Sequence, residues 1–231
     1  MYFEHADDIW RDFPGLAAGA MLVTGITPDA PAGEHAERFV KTALSRLAGM
    51  PEGEMPEIQA WRRAFARMGL KPTQYRCASE SLLRRLRKEG SLPRLHPLVD
   101  LCNAVSAAYA IPVAVFDVAS VTGYLRVRYA AGDEEYLTFS GETEHPAGHE
   151  VIFADGAGRA HARRWTNRQS GLSAVRGPTT AALIVAEALH AAAPSDVPEL
   201  MAALAGELSV LWPVSPEVTA LSRSSPRVTF W

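Results

Sequence analysis

The sequence has few cysteines and no long apolar run. Its 231 residues include 2 cysteines, Cys77 and Cys102, so a disulfide-stapled secreted domain is excluded and both residues are expected to be reduced thiols in the cytoplasm. The longest apolar stretch, Gly15–Ile26, is too short to span a bilayer. The first ten residues are acidic and aromatic, unlike a secretory signal. These features predict a soluble cytoplasmic protein with no membrane partner.

The familiar catalytic signatures are absent as well. The chain contains no Gly-x-Ser-x-Gly elbow, Walker loop, dinucleotide fingerprint or His-Glu-x-x-His motif. His145 and His149 are four residues apart, but a proline and a glycine lie between them, so a helix that presents both to one metal is not expected. Cys77 follows Arg76, whose charge can lower a thiol pKa, but a buried inert thiol is the commoner outcome for a cysteine and is expected here. We therefore expect no metal and no cofactor.

The composition is that of an ordinary globular protein. Hydrophobic residues make up 48% of the chain and charged residues 21%, which excludes collagen, coiled coil and extended disorder. A chain of this length forms one to two domains, and one large unit is the simplest interpretation.

The charge is unevenly distributed along the chain. The formal net charge is −3, but residues 62–94 carry ten lysines and arginines against Glu80 and Glu89 only. Residues 159–176 carry five arginines and no acid. These two stretches, the first and second cationic segments, favour a positive face for a polyanion. The alternative is a pair of solvated helix faces.

Hydrophobic periodicity and Gly/Pro positions predict the order of the elements. Strands are predicted over Leu16–Ile26, Leu125–Tyr129, Tyr136–Phe139, Val151–Ala154 and Arg159–Trp165. Helices are predicted over Glu34–Leu47, Pro56–Met68, from an N-cap at Ser79 to Glu89, from Pro97 to Ala108, Thr179–Ala193 and Val197–Leu211. Helices first, strands next and helices last indicate an α+β (mixed α/β) fold, with a central mixed or antiparallel sheet flanked by helices.

Polar residues gather near the starts of two of these helices. They are Arg76, Ser79, Arg94, His96, Asp100 and Asn103. Free N–H groups at a helix start suit a phosphate or a substrate carbonyl. Capping together with an Arg94–Asp100 pair is the structural alternative.

Residues 79–187 resemble a known family. The matching blocks are Leu83-Arg84-Arg85 with Gly90, the run from Arg94 to Asn103, Ile111-Pro112 to Phe116-Asp117, Arg126–Arg128, Val151–Asp155 and Thr179–Glu187. In this order they are similar to the editing module of the phenylalanyl-tRNA synthetase beta subunit, its third and fourth domains (B-three/B-four). The resemblance covers roughly half of the chain.

The resemblance implies hydrolysis of mischarged tRNA without a metal. The bond is an activated ester, so an enzyme needs only to seat the acyl group, orient water and stabilise an oxyanion. Two departures matter. The family's histidine before its Ala-Phe-Asp element is replaced by Ala114, and its glutamate-bearing glycine turn is replaced by the basic, aromatic run from Arg163 to Gly171. The family's tyrosine specificity is therefore not carried over.

The resemblance, together with the chemistry of the segment that replaces the family's glycine turn, gives a set of expected site residues. His96, Asn103 and Gln169 are the expected catalytic residues, orienting water. The expected substrate-binding residues are Arg76, Ser79, Arg84, Arg94, Arg164, Trp165 and Asn167, with Trp165 stacking on a base. The partner is the aminoacylated 3′ end of a tRNA, and DNA is not expected.

The expected organisation has three parts. Residues 1–70 form a strand and helical extension packed on the core, residues 71–212 form the editing-like domain, and residues 213–231 form an irregular tail. Two alternatives to a trans-acting hydrolase stay open. One is a non-catalytic tRNA- or RNA-binding module of the same fold, and the other is an amino-acid-binding sensor.

Overall fold

The computed structural model describes residues 1–230. Its α-helices over that range are α1 Asp7–Asp12, α2 Gly33–Gly49, α3 Pro56–Arg67, α4 Ala78–Glu89, α5 Pro97–Tyr109 and α6 Ala193–Leu211. The strands are β1 Tyr2–His5, β2 Ala17–Thr24, β3 Val113–Asp117, β4 Tyr124–Tyr129, β5 Tyr136–Leu137, β6 Thr143–Glu144, β7 Val151–Asp155, β8 Ala160–Arg163, β9 Arg168–Gln169, β10 Ala181–Ala188, β11 Glu217–Leu221 and β12 Arg227–Thr229. None of the described helices is long and apolar enough to cross a bilayer.

Two sheets form the centre of this mixed α+β fold. The larger sheet has the order β12-β1-β4-β7-β8-β9, and the smaller has the order β11-β2-β10-β3. Strand β1 runs parallel to β4, and the other pairs between named strands are antiparallel. The expectation of a mixed or antiparallel sheet with flanking helices is confirmed.

Alternation along β10 separates two hydrophobic cores. Leu183 and Val185 point to the core between the two sheets, where Phe116 and Phe153 also lie. The intervening residues, such as Ile184, pack in the core against α5 and α6. Because successive strand residues point to opposite faces, Glu187 shares the face of Leu183 and Val185. A carboxylate is thereby directed to the region between the sheets.

Five of the predicted helices are confirmed. Helices α2 to α5 begin and end within two residues of prediction, and α6 begins four residues before the predicted Val197 and ends at Leu211. Pro56 and Pro97 each open a helix, and Gly90 ends α4 in the left-handed region with φ of 72°. The cap of α4 is Cys77 rather than the expected Ser79, which lies buried inside the first turn.

The predicted helix Thr179–Ala193 is wrong, because this region contains strand β10. Seven of its eight residues are buried, and the strand pairs with β2 on one side and β3 on the other. A strand covered on both faces shows an unbroken apolar run instead of alternation, so periodicity alone does not distinguish it from a buried helix.

The predicted irregular tail also contains regular structure. Strand β11 pairs with β2, and β12 pairs with β1. The first 70 residues contribute β1 and β2 to the two sheets. The ends of the chain therefore help to build both sheets. Strand β2 was predicted, whereas β1, β11 and β12 were not.

Candidate functional site

A cavity opens between the two sheets. Its lining residues come from the start of α4, from β3 and the preceding proline, from β7 and β8, from the segment 165–169 and from β10: Ala78, Pro112, Val113, Ala114, Phe116, Phe153, Ala162, Trp165, Thr166, Asn167, Arg168, Gln169, Val185 and Glu187. The volume open to the centre of a water molecule is about 70 Å³, several times the ~10–15 Å³ that one water needs. An apolar recess with a few convergent polar groups is typical of a small-molecule site.

Two primary amides give the cavity its neutral polar groups. The Asn167 side chain donates through Nδ2 to the backbone carbonyl of Arg76 at 2.6 Å. The Gln169 side chain donates through Nε2 to the backbone carbonyl of Val115 at 2.5 Å. Each amide is held by one N–H, so within the described residues its oxygen and second N–H have no protein partner. These groups can accept from and donate to a ligand or a water.

The segment that carries the amides has an unusual backbone. Arg164 and Trp165 have φ of 46° and 57°, in the left-handed region that non-glycine residues seldom occupy. The Glu150 carboxylate accepts from the backbone N–H of Arg164 at 2.9 Å, and the Trp165 N–H donates to the Val151 carbonyl at 2.7 Å. These bonds hold the turn against its strain and fix the positions of Asn167 and Gln169.

A nearly buried ion pair supports this turn. Arg163 donates to both oxygens of Glu150 at 2.9 Å and to Glu144 at 2.6 Å. Burial alone would raise the pKa of Glu150, but the hydrogen bonds and charge of Arg163 outweigh it and lower that pKa from its usual 4.5. The pair is thus ionised at neutral pH and rigid.

A carboxylate forms part of the cavity wall. Glu187 is 2% exposed, and its Oε1 accepts from His5 Nε2 at 2.7 Å and from Trp165 Nε1 at 2.8 Å. His5 lies on β1 of the larger sheet, whereas Glu187 lies on β10 of the smaller sheet. The His5–Glu187 bond therefore links the two sheets at the cavity.

The two cationic segments meet beside this cavity. The Ala78 N–H donates to the Thr166 carbonyl at 2.8 Å, and the Arg164 guanidinium lies 4.7 Å from the centre of the Tyr75 ring. Together with the Asn167–Arg76 bond, these contacts bring residues 75–78 against residues 164–167.

Much of the positive charge in these segments is neutralised locally. Ion pairs join Arg62 and Arg76 to Glu80, Arg84 and Arg87 to Glu52, Arg85 to Glu89, Arg159 to Asp155, Arg163 to Glu144 and Glu150, and Arg168 to Glu144. Within the described residues, the cations of the two segments without an ion pair are Arg63, Arg67, Lys71, Lys88, Arg94, Arg164 and Arg176. The net positive field is therefore weaker than the composition suggests.

Some of the expected site residues come together. Trp165, Asn167 and Gln169 line the cavity. The Arg76 carbonyl accepts from the Asn167 amide at the cavity edge, whereas the Arg76 guanidinium contacts the Thr73 carbonyl and Glu80. The Arg164 guanidinium lies on the ring of the neighbouring Tyr75. This part of the expected site forms one cluster.

Other expected site residues lie elsewhere. His96 is the N-cap of α5, with Nδ1 accepting from the Leu98 N–H at 3.2 Å, and burial lowers its pKa. Arg94 lines a second cavity with Asp100, and Asn103 is half-buried on α5 outside the first cavity. Arg94 and Asn103 were expected in one site with Trp165 and Gln169, but they do not line the cavity that those two residues share. The structural alternative, in which a polar residue at the helix start is a cap, is therefore correct for His96.

Ser79 and Arg84 serve the packing of α4. Ser79 is fully buried and its Oγ lies 3.4 Å from Cys77 Sγ. The Arg84 guanidinium pairs with Glu52 at 3.2 Å. Neither residue lines the cavity.

The expectation that Trp165 stacks on a base is wrong. Its ring is fully buried and packs edge to face on Phe13 and Trp61 at 4.8 and 5.0 Å. A buried ring has no open face for a base, so this residue builds the cavity wall and orients Glu187.

Cys77 is an inert thiol rather than a reactive one. Burial raises its pKa to about 11, and burial also raises the pKa of Cys102. Both cysteines are free, as expected. Within residues 1–230, the one group with metal-ligand spacing is Glu57, His190 and Asp196, which does not line the cavity.

Comparison with known proteins identifies the family. Residues 60–195 match the model of the B3/4 domain. The chain belongs to the B3/4 domain family. Each cavity-lining residue falls inside the matched range, whereas His5 lies outside it. Ala114, which stands where the resemblance expects a histidine, is part of the B3/4 cavity wall.

Two relatives carry the name of a synthetase subunit. The chain is 38% identical over 73 residues to the phenylalanine–tRNA ligase beta subunit of Cereibacter sphaeroides, covering 32% of this chain and 9% of that subunit. It is also similar to the structure of an N-terminal fragment of the phenylalanyl-tRNA synthetase beta subunit from Pyrococcus horikoshii. That match has a TM-score of 0.49 and 7% identity, and it covers 94% of this chain and 49% of the fragment. The chain therefore spans less than half of the relatives it matches.

Sequence reasoning missed four important members of the cavity wall. Ala114, Phe116, Phe153 and Glu187 line it, and all four fall within blocks that carry the family resemblance. A strand over residues 113–117 would have indicated two of them, because it places Ala114 and Phe116 on the same face.

Proposed function

We propose that this B3/4 protein is a trans-acting hydrolase that removes the amino acid from mischarged tRNA. The observation that carries the proposal is the position of the cavity, which lies within the B3/4 match and where the two cationic segments meet. The aminoacyl group enters the cavity, and the RNA end lies along Arg76, Arg164 and Arg168 at its edge.

Hydrolysis of an aminoacyl ester needs few catalytic groups. An aminoacyl ester is already activated, so hydrolysis needs a positioned water and stabilisation of the oxyanion. The amide oxygens of Asn167 and Gln169 orient the water, and their second N–H groups are the donors for the developing charge. Both amides are preorganised by bonds to backbone carbonyls, so they lose little freedom when the substrate binds.

A panel of mischarged tRNAs tests this function. The wild-type protein is expected to release the amino acid from at least one of them. Gln169→Ala is expected to lower the turnover rate roughly 100-fold, the scale of losing one preorganised donor. Gln74→Ala, at an exposed glutamine outside the cavity, is the matched control and is expected to match wild type. No turnover on any member would reject the hydrolase.

A second function, RNA binding without catalysis, is favoured by Ala114. This methyl side chain occupies the cavity wall where the family resemblance expects an imidazole. The same panel, measured by filter binding at two salt concentrations, separates the two functions. Salt-sensitive binding of tRNA without turnover would support the binding module. Binding of a free amino acid with no RNA affinity would support an amino-acid sensor instead.

A further inference from the structure

Glu187 is a buried carboxylate in the cavity wall that the hydrolytic scheme above leaves unused. Its two hydrogen bonds, from His5 and Trp165, both end on Oε1. Among the described residues Oε2 has no hydrogen-bond partner. Unlike the unpaired atoms that are fully buried, it keeps some accessible surface. Because Glu187 lines the cavity, Oε2 is the oxygen that a ligand in the cavity can reach.

The donors around Glu187 leave one of its carboxylate oxygens open. The Trp165 indole is neutral, and its N–H lies on Oε1. His5 donates to the same oxygen through Nε2, and its buried Nδ1 has no partner. Neither side chain reaches Oε2, so the described residues give that oxygen no donor.

A carboxylate in an apolar cavity needs a partner that offsets the cost of burying its charge. Phe116, Phe153 and Val185 form the neighbouring walls, and a buried charge is expensive unless it is paired. No lysine lines the cavity, and Arg168, its one lining arginine, is exposed and paired with Glu144. Within the described part of the chain, His5 is the one titratable partner of Glu187, and it contacts Oε1, so no lysine or arginine pairs with Oε2.

We infer that Glu187 Oε2 receives the α-ammonium group of the aminoacyl moiety. This inference rests on the proposed function, since an aminoacyl ester carries its ammonium group on the carbon next to the reacting carbonyl. Pairing that ammonium with Glu187 leaves the ester carbonyl for the amides of Asn167 and Gln169, which line the same cavity.

The pairing sets a rule for substrate choice. A free α-amino group is charged and fits the carboxylate, whereas an N-acylated amino acid is neutral and bulkier at that position. The site therefore accepts aminoacyl-tRNA and rejects N-acylated aminoacyl-tRNA, which includes peptidyl-tRNA. His5, from outside the B3/4 match, and Trp165 act as positioning residues that hold Oε1 and so aim Oε2.

Paired substrates test the inference. Each aminoacyl-tRNA of the panel and its N-acetylated form are offered to the full chain, and both hydrolysis and binding are measured. Wild type is expected to prefer the free amine at least tenfold. Glu187→Gln, which keeps the size and the Oε1 acceptor, is expected to reduce that preference to threefold or less by losing activity on the free amine. Glu217→Gln, at an exposed strand residue, is the matched control and is expected to keep the preference.

The outcomes separate the two proposals. Equal hydrolysis or binding of free and N-acetylated forms by wild type would overturn the role of Glu187 and leave the hydrolase standing. Binding without hydrolysis that still prefers the free amine would support Glu187 and reject the hydrolase. No binding and no hydrolysis of any form would overturn both. The wild-type comparison needs no variant, so equal use of the two forms would overturn the inference even if Glu187→Gln fails to fold.

Discussion

The Asn167 side chain donates a hydrogen bond to the Arg76 carbonyl oxygen at 2.6 Å, across 91 residues of sequence. This bond joins the two cationic segments at the cavity and holds one of the two amides proposed to act on the ester. Replacing Asn167 with alanine is expected to cost about 1 kcal/mol of unfolding free energy and to lower turnover at least tenfold.

Chemical denaturation and single-turnover deacylation measure the two effects of Asn167→Ala. Asn103→Ala is the matched control, because Asn103 is half-buried on α5 outside the cavity. It is expected to leave turnover within twofold of wild type. A larger loss of turnover for Asn103→Ala than for Asn167→Ala would contradict the cavity as the site. It would instead support a site among the polar residues near the starts of α4 and α5, which the sequence suggested.

The ion pair of Arg163 and Glu150 supports the strained turn before Asn167. Both side chains are more than nine-tenths buried. Glu150→Ala leaves Arg163 with Glu144, which is one-third exposed, as its remaining carboxylate partner, and removes the acceptor of the Arg164 N–H. It is therefore expected to cost about 3 kcal/mol of unfolding free energy, the lower end of the range for breaking a buried ion pair. Glu89→Ala, which breaks the exposed Arg85–Glu89 pair, is expected to cost less than about 1 kcal/mol. Equal costs in urea denaturation would contradict this account of the turn.

The same pair predicts how stability depends on pH. The pKa of Glu150 is lower in the folded protein than its usual 4.5, so its contribution is complete above about pH 4.5 and is lost as the pH falls through the folded pKa. Unfolding free energy, measured from pH 7 down to pH 3, is expected to decline below pH 4.5 more steeply for wild type than for Glu150→Gln. Parallel curves for the two proteins would show that Glu150 does not titrate in this way.

The two cysteines are expected to be unreactive in the folded protein. Burial raises the pKa of Cys77 to about 11 and also that of Cys102, so almost no thiolate is present at pH 8. Ellman's reagent should detect no thiol in native protein and two in guanidinium chloride. Rapid modification of one native thiol would show that the packing around α4 or α5 is more open than described.

Local patterns carried much of the fold. The signals that predict helices α2 to α5 are local. An amphipathic stripe repeats every three or four residues in α2, α3 and α4, and a proline opens α3 and α5, so the sequence alone predicts these helices. Strand β10 was predicted as a helix because burial on both faces removes the alternation that marks a strand.

The site was harder to predict because its key contacts are distant in sequence. His5 and Glu187 are 182 residues apart, and neither has a local motif that points to the other. The polar residues at the starts of α4 and α5 looked like a binding site, yet His96 and Ser79 satisfy caps and packing. Asn167 and Gln169 were predicted because the family resemblance directed attention to their segment.

The central claim is that the aminoacyl group enters the cavity between the two sheets, and a cavity-filling variant tests it most directly. Ala114→Leu places three extra carbons in the cavity wall, whereas Ala220→Leu makes the same change at an exposed position on β11. With both variants folded by circular dichroism, deacylation of the best panel substrate is expected to fall at least tenfold for Ala114→Leu and to stay at the wild-type rate for Ala220→Leu. Wild-type turnover by a folded Ala114→Leu would contradict the claim.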